Sequence, residues 1–320
     1  VFETTVPTNA YQAIPVEMDA ISASILPVLS WAHGRACWLG TCFAVSEDGL
    51  LLTARHVVDG FLRDYQQEIA AGQAGLIVIA ETDVHLGVEE DGTPKYLGSV
   101  LNVVKADCHA HTDIALLRVL LPATSAGSLL NPLVVDVTPP AAGDQCLAIG
   151  YKHCSLSGTI SPDHLSSADY ERQLVISRGT VDEIYVQQHS EWQWDFPCFV
   201  TDAKYNGGMS GCPVILPDGR IHGLVSSSDF PDEGPVAVGA TSHVTLLAGA
   251  LAFHVDGRRD ESDLLAHVLQ RLAGDDLGLG SVEVYEATVE PSLSLDDLFS
   301  GADSSARQQL KMRYRTTAAG

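Results

Sequence analysis

Basic residues are scarce in this chain: 18 lysines and arginines stand against 41 aspartates and glutamates, a formal net charge of −23 over 320 residues. Holding a phosphate backbone takes clustered Lys and Arg, so nonspecific nucleic-acid binding is excluded. The acidic surface instead serves solubility and attracts basic partners. No apolar run reaches the roughly twenty residues of a membrane helix. The longest, near 244–255, is short and interrupted, so no membrane partner is expected. Cysteine is sparse as well. Its seven copies are odd in number and contain no C-x-x-C pair, which argues against a zinc module or a disulfide-dense secreted scaffold and points to a reducing compartment. Residues 1–18 lack the basic start and apolar core of a secretory signal. A cytoplasmic location is therefore expected, although a chain that begins at Val1 leaves open a leader or a domain before it.

What is present is a hydrophobic content of 46%, enough for a large core. The most informative run is Thr201-Asp202-Ala203-Lys204-Tyr205-Asn206-Gly207-Gly208-Met209-Ser210-Gly211-Cys212-Pro213-Val214, which sets one serine in a glycine-rich turn with apolar sequence beyond it. A hydroxyl attacks a carbonyl efficiently only when fixed donors meet the developing oxyanion. The N–H groups of Gly208 and Ser210 are the candidate donors, and glycine lets the backbone turn them inward.

Upstream, the run 40–58 reads as a strand, an Asp48-Gly49 turn, a second apolar strand and then His56 at its end, the candidate general base. The run His111-Thr112-Asp113-Ile114-Ala115-Leu116-Leu117 places a carboxylate at the head of an apolar strand, where an unpaired charge is costly. An imidazolium is the natural partner for Asp113: the carboxylate fixes the histidine tautomer and stabilises the cation formed when the serine proton is taken.

In this order of His56, Asp113 and Ser210, the chain resembles the trypsin-like (chymotrypsin-fold) serine peptidases. The patterns T-x-x-H-V-V, D-[IL]-A-L-L and T-D-A-x-x-N-x-G-x-S-G-x-P resemble the Deg/HtrA branch most closely, over about residues 35–256. Gly143-Asp144-Gln145-Cys146-Leu147-Ala148-Ile149-Gly150 looks like that branch's opening strand of the second barrel, Ser177-Arg178-Gly179-Thr180-Val181 like its next turn and strand, and 217–226 like the hairpin after the nucleophile. The resemblance implies an all-β fold of two six-stranded antiparallel barrels with the active site between them, and a short, partly helical C-terminal extension. With the flanking residues read from their own composition, the chain is expected to divide into an arm at 1–18, a protease domain at 19–256 divided near 137/138, and an extension at 257–320. The resemblance also implies a serine endopeptidase that acts on protein or peptide substrates without a cofactor or metal. Lys204 and Tyr205 fall at the specificity pocket, and Val225, Ser226, Ser227 and Ser228 fall on the strand that lies along the substrate, with Ser226 near the aspartate.

Departures from the family pattern bound these expectations. Met209 stands where zymogen-activated relatives have aspartate, so activation by a freed Val1 amine is not expected. Val57 follows the histidine where secreted trypsins have cysteine, which leaves Cys42 without that family's disulfide partner, and Cys212 replaces a common glycine. Lys204 favours an acidic substrate side chain, whereas Asp229, Asp232 and Glu233 favour a basic one. The extension is too short for the PDZ domain common in the Deg/HtrA branch. Within it, Ser262 caps an expected helix with Leu264, Leu265, Val268, Leu269 and Leu272 on one face and Gly274 as its stop, and 281–289 alternates like a strand. This extension is a place for a regulatory protein partner, and a partner-switched effector or a silent peptide-binding pseudoprotease are the alternatives to a free-standing enzyme. One competing site remains: His109, His111 and Asp113 would share one strand face beside Cys108 as metal ligands, but no second cluster completes a coordination shell.

Overall fold

The computed structural model describes residues 12–13, 23–88, 94–109, 112–122, 129–136, 139–161, 164–185, 196–230, 239–247, 286–289 and 312–315. After β1 (Gln12–Ala13), the first half is built on two tight hairpins. His33 and Gly34, at φ 51° and 74°, make a two-residue turn with both residues left-handed between β2 (Ile25–Ala32) and β3 (Arg35–Ala44), the geometry that matches strand twist. Asp48-Gly49 then returns the chain into β4 (Leu50–Thr53). There Gly49 has φ 104°, the Ser46 hydroxyl bonds the Asp48 carboxylate, and Leu50 N–H donates to Ser46 Oγ at 3.0 Å. With β5 (Ala74–Val88), β6 (Pro94–Cys108) and β7 (Ala115–Val119), these strands close a six-stranded antiparallel barrel in the order β2-β3-β4-β7-β6-β5.

A second six-stranded ring follows. It runs β8 (Gln145–Ser161), β9 (His164–Tyr185), β10 (Cys198–Thr201), β13 (Ser242–Leu246), β12 (Ile221–Ser228) and β11 (Pro213–Ile215), which pairs back onto β8. Within the arm expected at 1–18, β1 adds to β9 through Gln12↔Ile176 and Ala13↔Val175. The fold is the expected pair of chymotrypsin-type barrels. One apolar cluster joins them: Phe43, Leu51 and Leu52 of the first belong to the same buried group as Leu147, Ile149 and Leu224 of the second. Tyr151, 1% exposed, donates its hydroxyl across that boundary to Ile25 O at 3.1 Å. Each such buried aliphatic side chain contributes about 1.5–3 kcal/mol to burial, so the shared cluster is what fixes one barrel on the other.

Two local expectations are corrected. His56 does not end a strand; it lies in the first turn of a helix, Arg55–Asp64, which buries Val57 and Val58 against the first barrel. A shorter helix, Gln66–Ala70, follows it. Residues 177–180 are not a turn, because they pair with Ala148, Leu147, Cys146 and Gln145 inside a β8–β9 ladder that runs out to Ser161↔His164. Of the C-terminal extension, β14 (Glu286–Val289) pairs with β15 (Met312–Arg315). The helix expected from Ser262 to Gly274 lies outside the described residues.

Candidate active site

Asp113 sits in the loop between β6 and β7 and is 8% exposed. It is met by three donors. The backbone N–H of His56 reaches Oδ1 at 2.9 Å, His56 Nδ1 lies 2.8 Å from Oδ2, and the Ser226 hydroxyl also donates to Oδ2. An ionised carboxylate only accepts, so Nδ1 carries the proton and Nε2 is left as the basic nitrogen. The loop is clamped further by Arg55, whose N–H donates to Asp113 O at 3.2 Å and whose Nη1 donates to His109 O at 3.0 Å. Ser226 can turn toward Asp113 because the β12–β13 register slips between Val225↔Val244 and Ser227↔His243. A bulge of this kind re-aims a side chain.

Ser210 comes from the turn between β10 and β11. Its carbonyl accepts from Thr41 N–H at 2.9 Å, and the following Gly211 N–H donates to Val225 O at 2.7 Å, so the nucleophile candidate is tied to both barrels. Thr41, which sequence reasoning did not single out, also donates from Oγ1 to Gly208 O at 2.8 Å and accepts from Tyr151 N–H at 3.1 Å. The position of a Cβ on Gly40 lies 3.0 Å from Ser210 O and 2.8 Å from Val57 Cγ2. Ser210 therefore flanks the same glycine as the residue that follows His56. The hydrogen bonds of the turn use the N–H groups of Met209, Gly211 and Cys212; among the described residues those of Gly208 and Ser210 are left without one. Gly208 and Gly211 have φ 87° and 83°, values that require glycine.

The expected pocket and substrate residues separate into two groups. Lys204 is half-buried, and its carbonyl accepts from the Ser177 hydroxyl. Tyr205, by contrast, is a core side chain of the second barrel: it is 2% exposed, its hydroxyl lies 3.0 Å from Thr201 Oγ1, and burial raises its pKa well above the ordinary phenol value. Val225 and Ser226 are buried. Ser227 and Ser228 at the end of β12 are more open, with Ser228 Oγ 2.8 Å from Ser242 Oγ, which donates to Ala203 O at 2.6 Å. Asp229 is exposed. Asp232 and Glu233 lie outside the described residues.

The strand geometry assumed for a metal set at Cys108, His109, His111 and Asp113 is absent, since β6 ends at Cys108. His109 Nδ1 lies 2.7 Å from Thr112 Oγ1, Asp113 is bonded to His56, and His111 lies outside the described residues. Among the described residues, Asp136, Asp218 and His222 bring their ligand atoms within 4.8 Å of one another. Arg220 occupies them, with Nη1 3.1 Å from Asp136 Oδ2 and its N–H 3.0 Å from Asp218 Oδ1. All seven cysteines are free thiols. Cys42 is buried in the first barrel with Leu26 and Phe43, and a Cβ on Gly40 would meet Val57.

A trypsin-like peptidase domain is recognised over residues 40–224, more than half of the chain, and the chain belongs to that family. Among solved structures, the crystal structure of Deg5 is similar at 21% identity and TM-score 0.41, covering 66% of this chain and 82% of that one. The HtrA-type protease AlgW with a tripeptide is similar at 18% identity and TM-score 0.42, covering 72% of this chain and 60% of that one. AlgW with a decapeptide is similar at 17% identity and TM-score 0.42, covering 72% and 64%. This chain thus matches less than two thirds of either AlgW chain. No curated protein matches it in sequence.

Proposed function

We propose that this chain is a serine endopeptidase in which Ser210 is the nucleophile, His56 the general base and acid, and Asp113 the orienting carboxylate. The observation that carries the reading is the doubly bonded His56–Asp113 pair, Nδ1 to Oδ2 at 2.8 Å and N–H to Oδ1 at 2.9 Å, beside a glycine turn with two N–H groups that make no hydrogen bond among the described residues. In the reaction His56 Nε2 takes the proton of Ser210 Oγ as the oxygen adds to a peptide carbonyl. Asp113 holds the imidazolium that results. The Gly208 and Ser210 N–H groups receive the oxyanion, and His56 then returns its proton to the leaving amine, leaving an acyl-enzyme for water to hydrolyse. In this reading residues 226–228 of β12 supply an extended edge for the substrate backbone, and Lys204 contributes to the side-chain preference. None of these steps requires a cofactor, and activity is expected to survive EDTA.

The test is intact-mass spectrometry after exposure to a fluorophosphonate, comparing the wild type with Ser210→Ala, alongside cleavage of a peptide library. A single adduct confined to the wild type, with cleaved peptides, supports the reading and gives the side-chain preference. Absence of any adduct would leave a peptide-binding domain without turnover.

A further inference from the structure

Trp38, on β3 of the first barrel, lies with its ring against Gly208. A Cβ built on Gly208 would fall 1.9 Å from Trp38 Cη2 and 2.1 Å from Cζ2, so only glycine fits beneath the indole. The indole is itself held in place. Its Nε1–H donates to Gly40 O at 2.9 Å, and its ring meets His153 edge-on with centroids 6.3 Å apart and planes at 71°. It also packs on the apolar cluster that joins the barrels and on a smaller one around Leu29, Trp31 and Ile77.

Gly208 is where the turn has most freedom, with φ 87°, no side chain and an N–H that makes no hydrogen bond among the described residues. A peptide that rotates there takes its N–H out of the oxyanion site, and a preorganised donor is effective only when it does not have to reorganise during the reaction. Thr41 Oγ1 donates to the Gly208 carbonyl at 2.8 Å, which fixes the peptide that follows Gly208 and leaves the one before it, the peptide that carries the donor N–H, to another restraint. The Trp38 ring fills the side of Cα where a Cβ would stand. Many weak dispersion contacts of a broad flat ring suffice for this restraint, since each is small and their sum is not.

We infer that Trp38 is a positioning residue for the oxyanion turn: its ring keeps the Gly207–Gly208 peptide, which carries the donor N–H, in the donating orientation, and it acts on the rate through that peptide. The inference rests on the peptidase reading above. It makes Trp38, Thr41 and Gly208 one unit in which the first barrel presets a donor carried by the second.

The test compares the wild type with Trp38→Ala and Trp38→Phe by two independent readouts. The first is the second-order rate of Ser210 labelling by a fluorophosphonate across pH. Trp38→Ala is expected to lower it about 10- to 100-fold, short of or equal to the loss of a whole donor, with the pH midpoint unchanged because the His56–Asp113 pair is untouched. Trp38→Phe, which keeps a flat ring, is expected to stay within about threefold of wild type. The second readout is amide exchange at Met209, whose N–H is held by Asn206 O at 3.0 Å. It is expected to quicken about tenfold in Trp38→Ala while exchange in β4 stays the same, the signature of local rather than global opening. Labelling within twofold of wild type in Trp38→Ala, unchanged exchange at Met209, or acceleration of exchange throughout the molecule would each overturn the inference. If the wild type does not label at all, the peptidase reading falls, and exchange at Met209 alone decides whether the ring holds the turn.

Discussion

The hydroxyl of Ser226, in the second barrel, donates to Oδ2 of Asp113, in the first, on the same oxygen that faces His56 Nδ1. The carboxylate is thereby oriented from both halves of the molecule. Hydrogen bonds to a charged group contribute about 1.5–3 kcal/mol. Ser226→Ala is therefore expected to lower kcat/KM by about tenfold, each 1.4 kcal/mol being a factor of ten, and to lower the thermal midpoint by a few degrees, because the bond is already made in the resting fold. Steady-state cleavage of a peptide found in the library screen measures it.

Replacing the carboxylate has a larger consequence. Asp113→Asn preserves shape but presents a donor or a neutral acceptor to Nδ1, which admits the wrong imidazole tautomer. A fall of about 10⁴-fold in kcat is expected by analogy with other Ser-His-Asp sites. Retained circular dichroism beside that loss would tie the effect to the tautomer, and a loss below tenfold would count against Asp113 as the orienting group.

Gly211→Ala tests the joint between the barrels. Its Cβ would lie 2.3 Å from both Thr41 O and Thr53 Oγ1, at φ 83°. Backbone strain of this kind costs about 1–3 kcal/mol before the collision is counted. A drop of several degrees in thermal midpoint and loss of Ser210 labelling are expected together. An active, equally stable variant would show that the turn can shift without consequence.

The thiols give a pH prediction. Burial pushes Cys146 and Cys198 up to about 12 and Cys108 up to about 11, against an ordinary value of 9.0. Below that ordinary value the thiols are neutral in the folded and unfolded chain alike, and their contribution is fully present. Above it the unfolded chain releases protons that the folded chain keeps, so stability falls as pH rises from about 9 toward 11–12. Thermal midpoints between pH 8 and 11 should decline, and Cys198→Ala should flatten the slope. Alkylation of the native protein at pH 8 should modify the exposed Cys37 first and leave the buried Cys42 and Cys212 intact, read by peptide mass mapping.

Much of the architecture is legible in local chemistry. The Asp48-Gly49 turn, the apolar run of β7 and the glycines around Ser210 each have a backbone requirement that residue type reveals directly. The helix Arg55–Asp64 was readable as well: Val57, Val58, Phe61 and Leu62 repeat at helical spacing. Reading His56 as the end of a strand stopped the pattern one residue too early. The β8–β9 ladder was not legible, because Gly179 reads as a turn residue until pairing with Cys146 sets it against Ala203. Trp38 and Thr41 escaped for a different reason. Their roles depend on Gly208 and Ser210, far along the chain, and nothing in their immediate neighbours signals that distance. Tyr205 beside Lys204 shows the same limit, since adjacency in sequence did not tell which of the two side chains enters the core.

Thr41 carries a wider consequence. Three of its hydrogen bonds, to Ser210, Gly208 and Tyr151, cross the seam between the barrels, while the bond it accepts from Thr53 Oγ1 stays within the first. A separation of an ångström along that seam would break them while leaving both barrels closed and their interiors dry. Loss of Ser210 labelling on heating should then run ahead of unfolding, with a reversible dormant form between the native and the denatured chain.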